Sequence, residues 1–151
     1  MSYTHNPNLP KPEEVLPHRP PHLWLDGVTV ANASYARGFW TPGDEHFAGH
    51  FEGMPLLPGV KQIESVAQLG AYTLLLDSEE PVLGLFKGIK DTEFKRPIKP
   101  GETLGLFVEF TNRRRRDFEG VGIVEVSGEL ACRTTIVGTL LPERVARRML
   151  S

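Results

Sequence analysis

One apolar stretch, from Pro58 to about Leu76, constrains the fold of this chain more than any other feature. It contains no further proline, and proline is preferred at the first positions of a helix because its ring presets φ. At about 100° per residue, one face of such a helix carries Val60, Ile63, Ala67, Ala71 and Leu74. Leu69 and Leu76 lie on the opposite side. The stretch therefore predicts a long helix that is buried on most sides.

The rest of the chain alternates short apolar runs with glycine and proline, of which the sequence has 15 and 13. These residues separate the runs rather than forming one block, which indicates short strands joined by tight turns. We predict strands at 28–33, 35–40, 82–94, 104–110, 121–126 and 130–140, and a short terminal helix at 142–150. One buried helix combined with a run of antiparallel strands is an α+β layout, in which a sheet wraps over the helix.

A chain of 151 residues is the size of one domain. Residues 1–14 contain Pro7, Pro10 and Pro12 and few large apolar side chains, so we predict an extended N-terminal arm there and a single domain at 15–151. No run approaches the roughly 18 apolar residues of a membrane span. The first 20 residues lack the pattern of a signal peptide, and we expect a cytoplasmic protein.

Charge and cysteine usage exclude several function classes. The formal net charge is −2, which argues against a generally basic nucleic-acid binder. The single Cys132 excludes an intramolecular disulfide and a multi-cysteine zinc site. The positive charge is concentrated in two groups that suit an acidic partner: Lys95, Arg96 and Lys99, and Arg113, Arg114, Arg115 and Arg116.

The chemistry is concentrated in the loop at 41–58 and the first turns of the helix. His50 lies between glycines just before the helix, and Glu64 projects into the apolar stripe. The first N–H groups, at Gly59 and Val60, have no carbonyl partner inside a helix and can stabilise negative charge on an oxygen. A histidine, a carboxylic acid and an oxyanion donor together suit proton abstraction next to a carbonyl.

Other interpretations of these residues stay open at this point. A histidine in a glycine-rich loop is often structural, whereas a carboxyl in an apolar stripe is costly without a function. His46 and His50 are four residues apart among acidic residues, which could suggest a metal site. The intervening glycine and the absence of a second ligand cluster in the sequence argue against one.

The spacing of these residues resembles that of the 3-hydroxyacyl-[acyl-carrier-protein] dehydratases. Residues 49–68 read G-H-F-E-G-M-P-L-L-P-G-V-K-Q-I-E-S-V-A-Q, and the family signature is G-H-F-P-G-x-P-x-x-P-G-V-x-x-x-E-x-x-A-Q. Residues 16–19, L-P-H-R, and residues 94–102, F-K-R-P-I-K-P-G-E, are also similar to family motifs. The resemblance covers about residues 16–140.

This resemblance implies the hotdog fold, a curved antiparallel sheet around one central helix. It also implies a homodimer, or a trimer of dimers, with each active site at a subunit interface. His50 of one subunit would remove the proton α to the thioester carbonyl, and Glu64 of the other would help the 3-hydroxyl leave as water. The Gly59 N–H would bind the carbonyl oxygen, with Val60, Phe51 and Gln68 near the substrate. Gln68 could instead have a structural role.

The resemblance further implies a substrate that arrives on the phosphopantetheine arm of acyl carrier protein, with no metal or redox cofactor. Because that carrier is acidic, Lys95, Arg96 and Arg113 to Arg116 could dock it; a solvated hairpin tip is the alternative. The expected reaction is dehydration of (3R)-3-hydroxyacyl thioesters to trans-2-enoyl thioesters in fatty-acid or related polyene or polyketide-like synthesis. We expect neither nucleic acid nor membrane as a partner.

Some residues depart from the family pattern. Glu52 replaces a proline, His46 and His22 stand where aromatic residues are usual, and Gly84 or Leu85 stands where a tyrosine often gates the acyl tunnel. Two alternative functions therefore stay open: (R)-specific enoyl-CoA hydration or thioester hydrolysis on the same fold, and a non-catalytic subunit that docks a carrier protein.

Overall fold

The structure is a computed structural model that describes residues 3–76 and 78–151. It contains helices, numbered in chain order, and strands that form one sheet. The helices are α1 (Pro12–Val15), α2 (Gly59–Leu75) and α3 (Glu143–Leu150). The strands are β1 (Gly27–Ala31), β2 (Tyr35–Trp40), β3 (Val82–Phe94), β4 (Leu104–Arg114), β5 (Asp117–Val126) and β6 (Glu129–Pro142).

All strand pairs in the sheet are antiparallel, in the order β1-β2-β4-β5-β6-β3. β4, β5 and β6 are joined by tight turns, and β3 crosses over to pair with β6 at the edge. The alternation along β4 explains its orientation: Leu104, Leu106 and Val108 are buried, whereas the residues between them are more exposed. The predicted α+β layout is confirmed.

The helix α2 lies across the sheet and contacts β2 through β6. Leu69 and Ala71, which project from opposite faces of the helix, are both buried, as predicted from its apolar circumference. Val60 differs from that prediction: it belongs to the apolar stripe but is 70% exposed. It stands in the first turn, before the helix passes under the sheet.

Other differences from the sequence prediction occur at ends and in short elements. β5 begins at Asp117 rather than at residue 121, because its first residues pair with β6 and β4. The predicted arm contains the four-residue helix α1, which has Pro12 in its first turn. A 3₁₀ turn, Asp44–His46, lies in the long loop. These short elements lack the repeated periodicity on which sequence prediction depends.

The segment before α1 packs along β1 and β2. The ring of Tyr3 stacks on Phe39 at 5.4 Å between centroids. The Asn6 N–H donates to the Val28 carbonyl oxygen, and the Val28 N–H donates to His5 Nδ1. The residues near the N-terminus thus satisfy backbone groups along the edge strand β1. In the described part of the chain, no helix is long and apolar enough to cross a membrane.

Close contact between α2 and the sheet requires a glycine in β5. A Cβ atom at Gly122 would overlap the Cγ1 atom of Val66, which is completely buried. We predict that Gly122→Ala lowers the free energy of unfolding by about 1–3 kcal/mol, the usual cost of overpacking. Urea unfolding followed by circular dichroism measures it. Adding Val66→Ala should make the Gly122→Ala substitution less costly, because it removes the overlapping methyl group.

Gly70 of α2, at the same helix–sheet interface, provides the control. A Cβ there would meet no heavy atom closer than 4.0 Å, from Val108. Gly70→Ala should therefore leave stability unchanged or raise it by about 0.5–1 kcal/mol through its helix propensity. Equal destabilisation by the two alanine substitutions would contradict the packing argument.

Candidate active site

The loop before α2 fixes the tautomer of the neutral His50 ring. The Leu56 N–H donates to the His50 carbonyl oxygen at 2.6 Å, and His50 Nδ1 is 3.0 Å from the Leu56 carbonyl oxygen. A carbonyl oxygen only accepts hydrogen bonds, so Nδ1 carries the hydrogen. In the neutral ring, Nε2 then has the free lone pair and can act as a base.

Glu64 lies in the second turn of α2, and its side chain is 20% exposed. Its Oε2 atom accepts a hydrogen bond from Gln68 Nε2 at 2.8 Å. Two histidines face the same oxygen: His22 Nε2 at 3.4 Å and His18 Nε2 at 3.8 Å. The contacts of the carboxyl with described side chains thus converge on Oε2.

Gln68 is buried and uses both ends of its amide. Its Oε1 accepts from the backbone N–H of Trp24 at 2.7 Å, and its Nε2 donates to the His22 carbonyl oxygen at 3.0 Å as well as to Glu64. A buried amide that lost these partners would carry a large desolvation cost. Gln68 therefore ties the segment before β1 to the helix and fixes the Glu64 carboxyl at the same time.

A cavity of about 160 Å³ opens beside the Glu64 carboxyl. Its polar end is formed by His18, Glu64 and Gln68. Small and apolar residues of α2 and the sheet form the remainder: Ala67, Ala71, Gly84, Leu85, Phe86, Phe118 and Ile136. A carboxyl at one end of an apolar cavity suits a substrate with a polar reacting centre and an apolar tail.

His50 is not among the described residues that line this cavity. It lies in the loop before α2, and its ring stacks on Phe51 at 4.2 Å between centroids. The side chain of Phe51 is half exposed. The single chain therefore gathers Glu64 and Gln68 in one site and leaves His50 and Phe51 outside it.

The beginning of α2 is covered by an aromatic ring from β3. A Cβ atom at Gly59 would lie 2.8 Å from the ring of Phe94, so a side chain at Gly59 would displace that ring. The N–H groups of Gly59 and Val60 belong to the first turn of the helix, where they have no intrahelical carbonyl partner.

The two basic groups differ in their surroundings. Arg96 forms a two-bond contact with Glu102 at 3.1 and 2.7 Å, and its side chain is 19% exposed. Lys95 pairs with Glu93 at 2.5 Å. By contrast, Arg113 to Arg116 are exposed at the tip of the β4–β5 hairpin. No group of three or more His, Cys, Asp or Glu side chains in residues 3–76 and 78–151 is arranged to hold a metal ion.

The sequence analysis did not predict the contacts of His18 and His22 with Glu64. Both lie in the segment before β1, which is far from α2 in the sequence and comes close to it only in the folded structure. His18 belongs to the L-P-H-R motif, and His22 was visible as a departure from the family pattern. Neither signal indicates which distant carboxyl the imidazoles would face.

Comparison with known proteins identifies the family. The profile of the ApeI-like family, described as ApeI dehydratase, matches residues 33–128. A 3-hydroxyacyl-[acyl-carrier-protein] dehydratase FabZ from Bacillus velezensis is 37% identical over 132 residues, which cover 85% of this chain and 94% of that protein. The chain belongs to the 3-hydroxyacyl-[acyl-carrier-protein] dehydratase family. The FabZ protein of Thermomicrobium roseum is 39% identical to this dehydratase over 139 residues, 89% of this chain and 93% of that protein.

Solved structures confirm the hotdog fold. The dehydratase heterocomplex ApeI:P from Xenorhabdus doucetiae has a chain that matches this dehydratase with a TM-score of 0.80 at 15% identity, covering 95% of this chain and 99% of that chain. Cj0977 of Campylobacter jejuni matches with a TM-score of 0.65 at 16% identity, over 85% of each chain.

His46 contributes a pH dependence to the stability of this region. Its ring lies edge-on to Trp24 and Trp40 at 5.2 and 5.0 Å between centroids, and Lys61 Nζ is 3.2 Å from its Nδ1. Burial, followed by the charge of Lys61, lowers the pKa of His46 below 6.5. Burial likewise lowers the pKa of His18.

We predict that the dehydratase loses stability as the pH falls from 7 to 5. Below pH 6.5, the ordinary histidine pKa, the unfolded chain binds a proton at His46 more readily than the folded chain does. The stability is therefore fully present above pH 6.5 and decreases as the pH falls below it. His46→Phe keeps an aromatic ring and removes one such group, so its stability should decrease less. Urea unfolding at several pH values measures this. Identical pH dependence in the two proteins would contradict the assignment to His46.

Proposed function

We propose that this dehydratase removes water from (3R)-3-hydroxyacyl thioesters on acyl carrier protein and forms trans-2-enoyl thioesters. The observation that carries the proposal is the Glu64 carboxyl, which Gln68 holds at the polar end of an otherwise apolar cavity. The related proteins named above as FabZ are dehydratases of such carrier-bound groups. The cavity suits an acyl chain, with the 3-hydroxyl near the carboxyl.

In this mechanism, His50 is the base. Its Nε2 lone pair is free because Nδ1–H donates to the Leu56 carbonyl oxygen. Removal of the α-proton moves negative charge onto the thioester oxygen. The Gly59 and Val60 N–H groups at the start of α2 would stabilise that charge, and Phe51 would pack against the substrate beside His50. No metal or redox step is required, since elimination of water moves only protons and electron pairs already in the substrate.

Glu64 is the acid in the proposed reaction. It donates a proton to the 3-hydroxyl, directly or through a water, and the C3–O bond breaks as the α,β double bond forms. Gln68 positions the carboxyl through Oε2, which leaves Oε1 available to the leaving oxygen. Acid–base groups of this kind each contribute about 10²–10⁴-fold to the rate.

The separation of His50 from the Glu64 cavity supports an active site shared between two subunits. β3 is at the sheet edge and pairs, within the described chain, with β6 on one side. Leu85, Phe86, Ile89 and Phe94 of β3 are 44–51% exposed. A long edge strand with exposed apolar side chains favours pairing with a second copy. We propose a homodimer, alone or within a trimer of dimers, in which His50 of one subunit meets Glu64 of the other.

The exposed hairpin tip suits the carrier. Arg114, Arg115 and Arg116 project into solvent around a cleft that also includes Asp117 and Thr139. We propose that these arginines and Arg113 attract the acidic carrier protein. Lys95 and Arg96 would contribute less, because Glu93 and Glu102 already neutralise them.

Turnover of a short 3-hydroxyacyl-carrier-protein substrate tests the function. Mass spectrometry should show loss of water from the substrate with the wild-type protein, and the reverse reaction from the enoyl form. His50→Ala and Glu64→Ala should each reduce kcat by about 10²–10⁴-fold. Release of free carrier thiol without loss of water would instead indicate thioester hydrolysis. Folded wild-type protein that binds the carrier without turnover would contradict the proposal and favour a docking subunit.

Mixing the same two inactive variants tests the shared site. The two variants are unfolded and refolded together in equal amounts, so that half of the resulting dimers contain one chain of each kind. One of the two sites in such a dimer has both His50 and Glu64. Activity should therefore return to about a quarter of the wild-type value if each site draws on both subunits. Mixtures that stay inactive although the subunits exchange would contradict a shared site.

Charge reversal tests the docking surface. Replacing Arg114, Arg115 and Arg116 with glutamate should raise KM for the carrier-bound substrate by about tenfold or more and leave kcat close to wild type, because rim charges mainly affect encounter. The same variant should use a pantetheine thioester substrate, which lacks the carrier, as well as wild type does. Reversing the three arginines of α3, Arg144, Arg147 and Arg148, is the matched control and should have little effect. Equal effects of the two reversals would contradict a specific docking site.

A further inference from the structure

His22 gives this site an imidazole between the Glu64 carboxyl and solvent. Its Nε2 atom is 3.4 Å from Glu64 Oε2, and its side chain is 58% exposed, compared with 20% for Glu64. His18, the other histidine near that oxygen, is more distant at 3.8 Å and is 22% exposed. His22 is therefore the residue that both faces the carboxyl and reaches water.

Aromatic contacts and backbone hydrogen bonds hold His22 in place. The ring packs against Trp24 at 4.3 Å and stacks with His18 at 6.0 Å between centroids. Its backbone N–H donates to the Arg19 carbonyl oxygen, and its carbonyl oxygen accepts from Gln68 Nε2. Because the same Gln68 amide nitrogen binds Glu64 Oε2, one side chain holds the backbone of His22 and the carboxyl in register.

The proposed reaction leaves a protonation problem after each turnover. His50 gains the α-proton and Glu64 loses a proton to the departing water, so Glu64 must be protonated again before the next substrate reacts. Within one chain His50 lies outside the Glu64 cavity, and in the proposed dimer the His50 that meets this carboxyl belongs to the other subunit. Glu64 can therefore be protonated again either from that imidazolium, across the site, or from solvent. Imidazole both gives and takes protons near neutral pH. The imidazole of His22 faces Oε2, the Glu64 oxygen on which the contacts of the carboxyl converge.

We propose that His22 relays protons from solvent to Glu64 and so resets the acid for the next turnover. This inference rests on the proposed dehydratase function. The imidazolium gives its Nε2 proton to Glu64 Oε2, and the neutral ring then takes a proton from solvent. Rotation of the carboxyl about Cγ–Cδ then exchanges its two oxygens, so that Oε1 accepts the Gln68 hydrogen bond and the protonated Oε2 faces the 3-hydroxyl. His50 returns the α-proton to solvent, and the protons balance over the cycle.

Several other charged groups surround His22 and influence its proton exchange. His18 and Arg19 lie on its own segment, Glu64 on α2, and His46 in the loop beyond Trp24. Lys61 of α2 lies over the Trp24 ring at 5.4 Å. Glu64 attracts positive charge at this position and the cationic groups repel it, so charges of both signs act on the His22 ring.

Three substitutions of His22 in the full-length protein separate a relay from a positioning role. His22→Gln retains a polar side chain toward Oε2 but cannot carry a proton. His22→Phe has an aromatic ring of the kind usual in the family, and His22→Ala leaves room for free imidazole. We expect each to lower kcat by about tenfold, less than loss of a group that acts on substrate. Because the relay acts after the chemical step, kcat/KM should change less than kcat.

Chemical rescue and pH dependence are the decisive measurements. Added imidazole should raise kcat of His22→Ala toward wild type and leave the wild-type rate unchanged. The kcat of His22→Gln should decrease more steeply than that of wild type as the pH rises, because solvent then supplies protons more slowly. Urea unfolding of each variant identifies any loss of folded protein.

A wild-type kcat in His22→Gln would overturn the relay, and so would a loss of activity in His22→Ala that imidazole does not restore. These failures are distinguishable from failure of the dehydratase proposal. If wild type turns over and Glu64→Ala does not, the dehydratase function stands and only the relay is overturned. If wild type removes no water from any substrate, both proposals are overturned.

Discussion

Burial of α2 against the sheet is the constraint on which the rest of the structure depends. The helix is apolar around most of its circumference, and Leu69 and Ala71 are buried on opposite faces. Such a helix depends on other elements that cover it, since most helical stability in proteins comes from tertiary packing rather than from helix propensity. The sheet covers one side, and Gly122 permits its close approach. The segment before β1 covers another side, through Trp24 and the contacts of Gln68.

The same burial creates the chemistry of the site. A polar side chain on a buried helix must find partners, and Gln68 finds three: the Trp24 N–H, the His22 carbonyl oxygen and Glu64 Oε2. The bonds that satisfy the amide also orient the carboxyl and bring the histidines toward it. The structural role and the proposed positioning role of Gln68 are therefore compatible, because one set of hydrogen bonds serves the packing and orients the Glu64 carboxyl.

Elements with long, regular patterns were predicted well. The bounds of β2 and β3 agree with the structure, and α2 agrees to within one residue at each end. Short elements and ends were predicted less well: α1 and the 3₁₀ turn were absent from the prediction, and β5 begins four residues early. The exposure of Val60 shows a related limit. Periodicity assigns a residue to a helix face, but how far the sheet covers that face depends on where the helix enters the core.

The sequence by itself determined the α+β class, the central helix, the family and the two residues proposed for the chemistry, because periodicity and motif spacing are local properties of the chain. The tertiary structure alone decided what surrounds Glu64. Gln68 meets Trp24 and His22 across 44 and 46 residues of chain. Such contacts depend on the path of the intervening backbone, which no local pattern records. The separation of His50 from the Glu64 cavity also became visible only in the folded chain, because it depends on how the loop and α2 pack together.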